Sequence, residues 1–263
     1  MKGHRWHHIF RPDGRTVILA LDHAGMFGMA AGLDAPGEVI RQARRGGADA
    51  ILTTYGTAAR FADEIGDLGL ILRMDGGVSS LAQERRPLRL LYSVADALRL
   101  GADGVACMGW PGSRFEGETL PYLARLAARC AAWNVPLLAE MLPGGFESPG
   151  EQWTPENIGH ACRIGAEMGA DFIKTAYTGD RESFRRIVER VPVPLVVLGG
   201  GAATDTRAFL TAIHDALAAG AAGVAVGRNI YRHPSPERMT AAIVALVHGG
   251  ATVAEAYLEV EGR

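Results

Sequence analysis

Short apolar runs alternate with longer amphipathic stretches along the whole chain. The runs are four to seven residues long and rich in Val, Ile and Leu, which is typical of strands buried on both faces of a parallel sheet. Eight runs are present: Val17–Asp22, Ala50–Thr54, Leu70–Met74, Gly104–Met108, Val135–Met141, Phe172–Thr175, Leu195–Leu198 and Gly223–Val226. The pattern predicts a series of β-strands, each followed by a helix.

The stretches between the runs carry the signals of helix ends. Thr154-Pro155-Glu156 places a capping hydroxyl, a proline at the first helical position and an acid in the first turn. Gly46-Gly47 follows the predicted helix Glu38–Arg45 as a C-terminal stop. A weak Gly-Ala-Asp repeat leads into every second run; its copies are Gly47-Ala48-Asp49, Gly101-Ala102-Asp103, Gly169-Ala170-Asp171 and the variant Gly220-Ala221-Ala222.

The repeat points to a closed barrel. Its spacing of roughly 50 to 70 residues spans two strand–helix units, and four such double units close a (β/α)₈ TIM barrel. An open doubly wound sheet is the alternative, but Asp22-His23-Ala24-Gly25 stands where its G-x-G-x-x-G fingerprint would follow the first strand. No linker divides the chain, so we predict one α/β TIM-barrel domain over residues 1–263, with an N-terminal arm over 1–15.

Composition and charge narrow the class of protein. The 263 residues are 48% hydrophobic and 21% charged, which suits a large buried core. A net charge of −2 gives no reason to expect nucleic acid or a membrane surface as a partner, and no apolar run approaches the roughly 20 residues that span a bilayer. The three cysteines are scattered, and no signal-peptide pattern opens the chain, so we expect a cytoplasmic protein.

Lysine is almost absent from the chain. Of 27 Lys and Arg residues, only Lys2 and Lys174 are lysines. Arginine stays protonated, whereas burial can lower the pKa of a lysine and supply the free amine that attacks a carbonyl. Lys174 lies near the carboxyl end of the sixth run, where a TIM barrel carries its active site, and is the candidate Schiff-base nucleophile. The alternatives are chance under biased base composition and a structural ion pair with a barrel carboxylate.

Other polar residues also stand at predicted strand ends. Asp22 is a candidate to balance the lysine charge or to transfer protons, and its alternatives are a helix cap and an ion pair. His23 is a candidate catalytic group or a loop residue that only hydrogen-bonds locally. Glu140 points either into the barrel, as a catalytic acid or base, or towards the helices. Asp75, before Gly76-Gly77, is typical of a turn.

Two glycine-rich turns follow the last two predicted strands. They comprise Gly199, Gly200 and Gly201 after the seventh run, and Gly227 with Arg228 after the eighth. This is the usual phosphate site of a TIM barrel, where backbone N–H groups receive the anion and arginine adds a forked contact. Two ordinary turns are the alternative. The substrate is therefore expected to be a phosphorylated small molecule.

Three histidines lie close together in the N-terminal arm, at His4, His7 and His8. No acid or cysteine stands nearby, and the chain has no H-E-x-x-H or C-x-x-C spacing. We therefore predict neither a metal site nor a cofactor, and a solvated or interface role for these histidines.

Together these motifs resemble the DhnA-type, or archaeal-type, class I fructose-bisphosphate aldolases, within the group that includes deoxyribose-phosphate aldolase. The resemblance spans nearly the whole chain and rests on five segments: Leu21-Asp22-His23, Ala170–Thr175, Tyr177–Asp180, Gly199-Gly200 and Gly227–Ile230. It implies that Lys174 forms the Schiff base, that Asp22 assists, and that the glycine turns with Arg228 hold phosphate. It also implies a homo-oligomer, commonly a decamer built from pentamers.

The fifth run departs from the pattern of that family. There the strand leads into aromatic-x-Tyr-Pro-Arg-Gly, whose Tyr is the proton donor, whereas here Glu140, Leu142 and Gly144 stand at the aromatic, Tyr and Arg positions. Leucine cannot transfer a proton, and loss of the Arg indicates that a second phosphate is not bound. A carbon–carbon lyase acting on a phosphorylated ketose is the first hypothesis. A thiolase or synthase of the same family and a non-catalytic phosphate-binding barrel are the alternatives.

Overall fold

The eight apolar runs form a closed parallel barrel in the computed structural model, which describes residues 3–84, 86–146, 149–201 and 203–262. Its strands are β1 (Thr16–Leu21), β2 (Ala50–Thr53), β3 (Gly69–Arg73), β4 (Gly104–Gly109), β5 (Leu137–Met141), β6 (Phe172–Thr175), β7 (Leu195–Leu198) and β8 (Gly223–Val226). Each strand pairs with its neighbours in sequence, and β1 closes the barrel on β8 with Thr16 opposite Gly223. The predicted TIM barrel is confirmed.

Helices connect the strands and surround the barrel. Their bounds are Gly3–Ile9, Ala24–Phe27, Pro36–Arg45, Tyr55–Arg60, Ala62–Ile65, Val94–Arg99, Glu116–Ala132, Pro149–Gln152, Pro155–Glu167, Arg181–Arg190, Thr206–Ala218, Arg228–Tyr231, Pro236–Val247 and Val253–Glu261. Thr154 caps the helix after β5 as predicted, because its side chain accepts a hydrogen bond from the Asn157 N–H. A short antiparallel ladder, Asp75–Gly76 with Arg89–Leu90, lies in the loop after β3. No helix within the described ranges has both the length and the apolar character to cross a membrane.

The Gly-Ala-Asp repeat has a structural explanation. The glycine of each of the four copies has a φ between 78° and 104°, which ends the preceding helix in the left-handed region. Asp49, Asp103 and Asp171 then each accept a backbone N–H from the start of the preceding strand, at 2.6, 3.0 and 2.8 Å respectively. In these three copies the glycine therefore ends a helix, and the aspartate joins two neighbouring strands by a hydrogen bond.

Alternate residues along each strand point to opposite sides of the barrel wall. One set packs against the helices in the large outer core. The other set fills the barrel interior and consists of Ile18, Ala20, Ala50, Leu52, Ile71, Ala106, Leu138, Phe172, Val196 and Ala225. Glu140 and Lys174 continue this inward set, two residues beyond Leu138 and Phe172. Both side chains therefore enter the barrel near its carboxyl end.

The N-terminal arm closes the opposite end of the barrel. Ile9 and Phe10 are buried with the inward-facing strand residues, and Trp6 packs against them. The Phe10 ring stacks on Trp6 with centroids 4.3 Å apart and meets Phe172 edge-on at 5.2 Å. Among the described residues, the arm thus fills the amino end of the barrel interior, and Lys174 lies at the opposite end. Of the arm, Met1 and Lys2 lie outside the described residues.

Candidate active site

Lys174 and Glu140 form a buried ion pair inside the barrel. Strands β5 and β6 are neighbours, and their register places Glu140 directly opposite Lys174. The Lys174 Nζ lies 2.8 Å from Glu140 Oε1, and both side chains are less than a tenth exposed. The proton of the ammonium group therefore has an acceptor within hydrogen-bond distance.

Arg73, from β3, connects this pair to two further acids. Its Nη2 contacts the second oxygen of Glu140, and its Nε and Nη2 lie 2.8 and 2.7 Å from Asp22 Oδ2. Its Nη1 lies 3.4 Å from Asp75 Oδ1. The guanidinium fork can serve several carboxylates at once, because its five donors are held in one plane. It positions Glu140 and Asp22 on either side of one buried cation.

The charges of the site follow from these contacts. Burial alone would raise the pKa of Glu140, but Lys174 and Arg73 outweigh it and hold that pKa below its usual value. Burial likewise opposes ionisation of Asp22, and Arg73, Lys174 and His23 together lower its pKa. Burial lowers the pKa of His23, against the opposing effect of Asp22. At neutral pH the two acids are ionised and the imidazole is uncharged.

Asp75 lies behind Arg73 in a more enclosed position. Burial raises its pKa, and the neighbouring Arg73 only partly offsets this. Its Oδ2 accepts hydrogen bonds from the Tyr122 hydroxyl and the Met108 N–H, both at 2.8 Å. These bonds fix Asp75 in place, so it supports Arg73 and is more than the turn residue expected from Gly76-Gly77.

A cavity of about 320 Å³ opens above the ion pair. We call it the Lys174 cavity; its wall includes Asp22, His23, Glu140, Leu142, Lys174, Gly199–Gly201 and Gly227–Arg228. All nine predicted site residues therefore line one cavity. The Arg228 Nε and the His23 Nδ1 are buried and have no hydrogen-bond partner among the described residues. Both residues line the cavity, so their unpartnered nitrogen atoms are candidates to bind a ligand there after a small movement of the side chain.

The glycine turns are held in place by Asn229. Its side-chain amide donates to the carbonyl oxygens of Gly199 and Gly201, at 2.7 and 3.0 Å. These two carbonyls are thereby bonded to an amide and do not face an incoming anion. Gly227 is required for space, since a Cβ there would lie 2.4 Å from the Ala20 carbonyl oxygen and 2.8 Å from the His23 ring.

Sequence reasoning missed two residues of the site, Arg73 and Trp153. Arg73 interrupts an apolar strand two residues after the inward-facing Ile71. Because side chains alternate along a strand, this spacing predicts that Arg73 also faces the barrel interior. Trp153 lines the Lys174 cavity with its buried Nε1 lacking a partner among the described residues. It lies in an irregular segment, where no periodicity predicts the direction of a side chain.

The N-terminal histidines lie far from this cavity, at the other end of the barrel. His8 Nδ1 is 2.6 Å from Asp103 Oδ1, at the start of β4. Within the described ranges, no group of three or more His, Cys, Asp or Glu residues is arranged to hold a metal ion.

A lone interior lysine at the open end of a TIM barrel, with a carboxylate to take its proton, is the arrangement that a Schiff-base aldolase needs. The family profile described as DeoC/LacD family aldolase matches residues 16–233. The chain belongs to this family.

Relatives and solved structures agree with that assignment. The chain is 40% identical over 240 residues to a 2-amino-3,7-dideoxy-D-threo-hept-6-ulosonate synthase of Halobacterium salinarum, covering 91% of this chain and 89% of the relative. It is 34% identical over 254 residues to a class 1 fructose-bisphosphate aldolase of Thermoproteus tenax, covering 94% and 95%.

One solved structure is of an archaeal fructose-1,6-bisphosphate aldolase whose catalytic lysine is covalently bound to the carbinolamine intermediate of its substrate. It matches this chain with a TM-score of 0.85 and 32% identity, covering 94% of this chain and 99% of that one. The resemblance seen in the sequence is confirmed: the protein is a class I, Schiff-base-forming aldolase and thus a carbon–carbon lyase.

Proposed function

We propose that Lys174 forms the Schiff base with a ketone that carries a single phosphate, and that the phosphate binds at Gly199–Gly201, Gly227 and Arg228. One observation carries this proposal. The Lys174 amine, 2.8 Å from Glu140, shares a cavity with two glycine turns and the unpartnered Arg228 Nε. Backbone N–H groups and a guanidinium are suited to a phosphate.

Glu140 is the proposed proton-transfer group. It takes the proton of the Lys174 ammonium, and the free amine adds to the carbonyl carbon to give a carbinolamine. Glu140 then returns the proton to the carbinolamine hydroxyl, which leaves as water, and an iminium remains. Asp22 is ionised and balances the positive charge of that iminium. His23 is uncharged and lines the cavity beside Asp22, with Nδ1 3.7 Å from Asp22 Oδ1.

Cleavage of the carbon–carbon bond follows from the iminium. Glu140 takes the proton of the hydroxyl on the β-carbon, the oxygen electrons form the aldehyde, and the electron pair of the broken bond moves to the iminium to give an enamine. Glu140 returns that proton to the enamine carbon. Water then hydrolyses the iminium, which releases the ketone and restores Lys174 as the ammonium beside ionised Glu140. This assignment replaces the family's tyrosine, whose position is taken by Leu142 on the cavity wall.

The same steps run backwards make a carbon–carbon bond, and this synthase direction is the second candidate. It is favoured by the 40% identity to the heptulosonate synthase of Halobacterium salinarum. The loss of the family's arginine at Gly144 favours a substrate with one phosphate in either direction. A homo-oligomeric assembly and a cytoplasmic location stay predictions.

Borohydride trapping tests the proposed nucleophile. The protein is incubated with dihydroxyacetone phosphate or dihydroxyacetone, reduced, and examined by intact and peptide mass spectrometry. We expect an adduct on Lys174 that forms at much lower concentration with the phosphorylated ketone. Lys174→Arg is the matched control, because it keeps the positive charge and cannot form an imine. If neither ketone traps on Lys174, the proposed function is wrong.

A further inference from the structure

Tyr122 lies on the outer helix Glu116–Ala132, yet its hydroxyl reaches the charged residues of the site. The side chain is buried and donates a hydrogen bond of 2.8 Å to Asp75 Oδ2. The Met108 N–H donates to the same oxygen, also at 2.8 Å. The other oxygen of Asp75, Oδ1, lies 3.4 Å from Arg73 Nη1. One side of this carboxyl group is therefore held by the helix layer and by β4, and the other side faces the guanidinium.

We propose that Tyr122 is a positioning residue of the aldolase reaction. It fixes Asp75, which in turn holds the guanidinium of Arg73 in the orientation that serves Glu140. This inference rests on the proposed function, because it takes Glu140 as the group that exchanges protons with Lys174. Neither Tyr122 nor Asp75 is among the described residues that line the Lys174 cavity. Tyr122 therefore affects the rate of the chemistry and not the binding of the ketone.

The orientation of Arg73 decides how its charge is divided between the acids. Its Nη2 contacts both Glu140 and Asp22, and its Nε lies 2.8 Å from Asp22 Oδ2. The guanidinium is planar and rigid, so a rotation that moves Nη1 away from Asp75 also moves Nη2 and Nε. These two atoms make the charge-assisted contacts that help to keep Asp22 and Glu140 ionised. A fixed Asp75 therefore helps to fix the charge of both acids.

The hydroxyl of Tyr122 also sustains the negative charge of Asp75. Burial raises the pKa of Asp75, and the neighbouring guanidinium and the hydrogen bonds from Met108 and Tyr122 oppose this only in part. Without the hydroxyl the carboxyl group takes up a proton more readily, and a neutral carboxyl group attracts a guanidinium less strongly. Loss of the hydroxyl thus weakens the contact with Arg73 twice, by loosening Asp75 and by reducing its charge.

The test is the pH dependence of Schiff-base formation. The protein is incubated with dihydroxyacetone phosphate and excess cyanoborohydride, and adduct formation on Lys174 is followed by mass spectrometry across the acidic and neutral range. In Tyr122→Phe the acidic limb should move to higher pH by roughly half a unit or more, as a weakened hydrogen bond of ordinary strength produces. The maximal rate should fall by about three- to tenfold, whereas the half-saturating concentration of the ketone should stay unchanged.

The acidic limb reports the charges around Glu140. The titratable and charged groups that face it are Lys174 on β6, Arg73 on β3, Asp22 and His23 after β1, and Asp75 in the loop after β3. Tyr122→Phe substitutes none of these groups, so a moved limb records the loss of the hydroxyl.

Three further variants test the route. Asp75→Asn should give the same shift, because its amide oxygen can still accept from Tyr122 but no negative charge attracts Arg73. In Arg73→Lys protein, Tyr122→Phe should add no further shift, because the fork through which it acts is already lost. Tyr257→Phe is the matched control, since it removes a phenol hydroxyl from the last helix, away from the Lys174 cavity. It should leave the profile unchanged.

Each outcome supports or overturns the proposal. A folded Tyr122→Phe protein with an unmoved limb shows that Tyr122 only packs the core and overturns it. A limb that moves to lower pH also overturns it, since Asp75 would then act by repelling the other acids and not by positioning Arg73. A shift that adds in full to that of Arg73→Lys does the same. If the unaltered protein forms no adduct on Lys174, the proposed function fails and this inference with it, whereas normal adduct formation with an unmoved limb overturns this inference alone.

Discussion

Replacing Glu140 by glutamine removes a charge from the centre of the site and preserves the size of the side chain. Two effects follow from its contacts with Lys174 and Arg73. If Glu140 transfers the protons, kcat should fall by about 10²–10⁴-fold, the usual contribution of a positioned acid or base. Loss of a buried carboxylate beside two cations should also cost about 3 kcal/mol of stability, the lower end for a broken buried ion pair.

The two effects are measured separately. Turnover is assayed on folded protein well below the melting temperature, and the melting temperature itself should fall by roughly 6–12 °C for a chain of this size. Glu259→Gln is the control, because it makes the same substitution at an exposed position on the last helix. A folded Glu140→Gln protein with normal kcat would refute the proton-transfer role and leave Glu140 as a structural ion-pair partner only.

Three further predictions concern Arg73, His248 and Phe10. Arg73→Lys retains a cation but loses the guanidinium fork that contacts both Asp22 and Glu140. The acidic limb of the kcat/KM profile against pH should therefore move to higher pH. An unmoved limb would show that Arg73 does not set the charge of these acids. Burial would lower the pKa of His248, but hydrogen bonds with Asp49 and Asp13 outweigh it and raise that pKa above 6.5. This contribution to stability is complete below the unfolded pKa of about 6.5 and is lost as pH rises through the higher folded value, so urea unfolding of the unaltered protein should show a decline over that window that His248→Gln flattens. Phe10→Ala leaves a void at the sealed end of the barrel and should cost about 3–5 kcal/mol in chemical unfolding, whereas kcat, measured on folded protein, should stay within twofold because the arm is remote from Lys174.

The strands and the barrel could be predicted because both rest on local patterns. Each strand is buried on both faces, so its sequence is a mainly apolar run, and all eight runs match observed strands to within two residues at either end. The helix stops are equally local, since glycine at a positive φ ends the helix in every copy of the repeat. Lys174 was recognisable for a different reason: it is one of only two lysines among 27 basic residues.

The arrangement of the site depended on contacts between strands that are distant in sequence. Glu140 lay in an apolar run that is buried on both sides, so the sequence left open whether it faced the barrel interior or the helices. The closed barrel decides this, because the register of β5 against β6 places Glu140 opposite Lys174. The role of Arg73 was hidden for the same reason. Its three carboxyl partners include residues 51 and 67 positions away along the chain.

By itself, the sequence determined the barrel, its open end and the lysine that we propose as the Schiff-base nucleophile, because strand periodicity, helix stops and residue identity are properties of short segments. Only the tertiary structure decided which charges meet around that lysine. The physical reason is that a buried charge is stabilised by whichever opposite charges the fold brings within about 4 Å of it, and that distance is set by strand register and barrel closure rather than by neighbours in the chain.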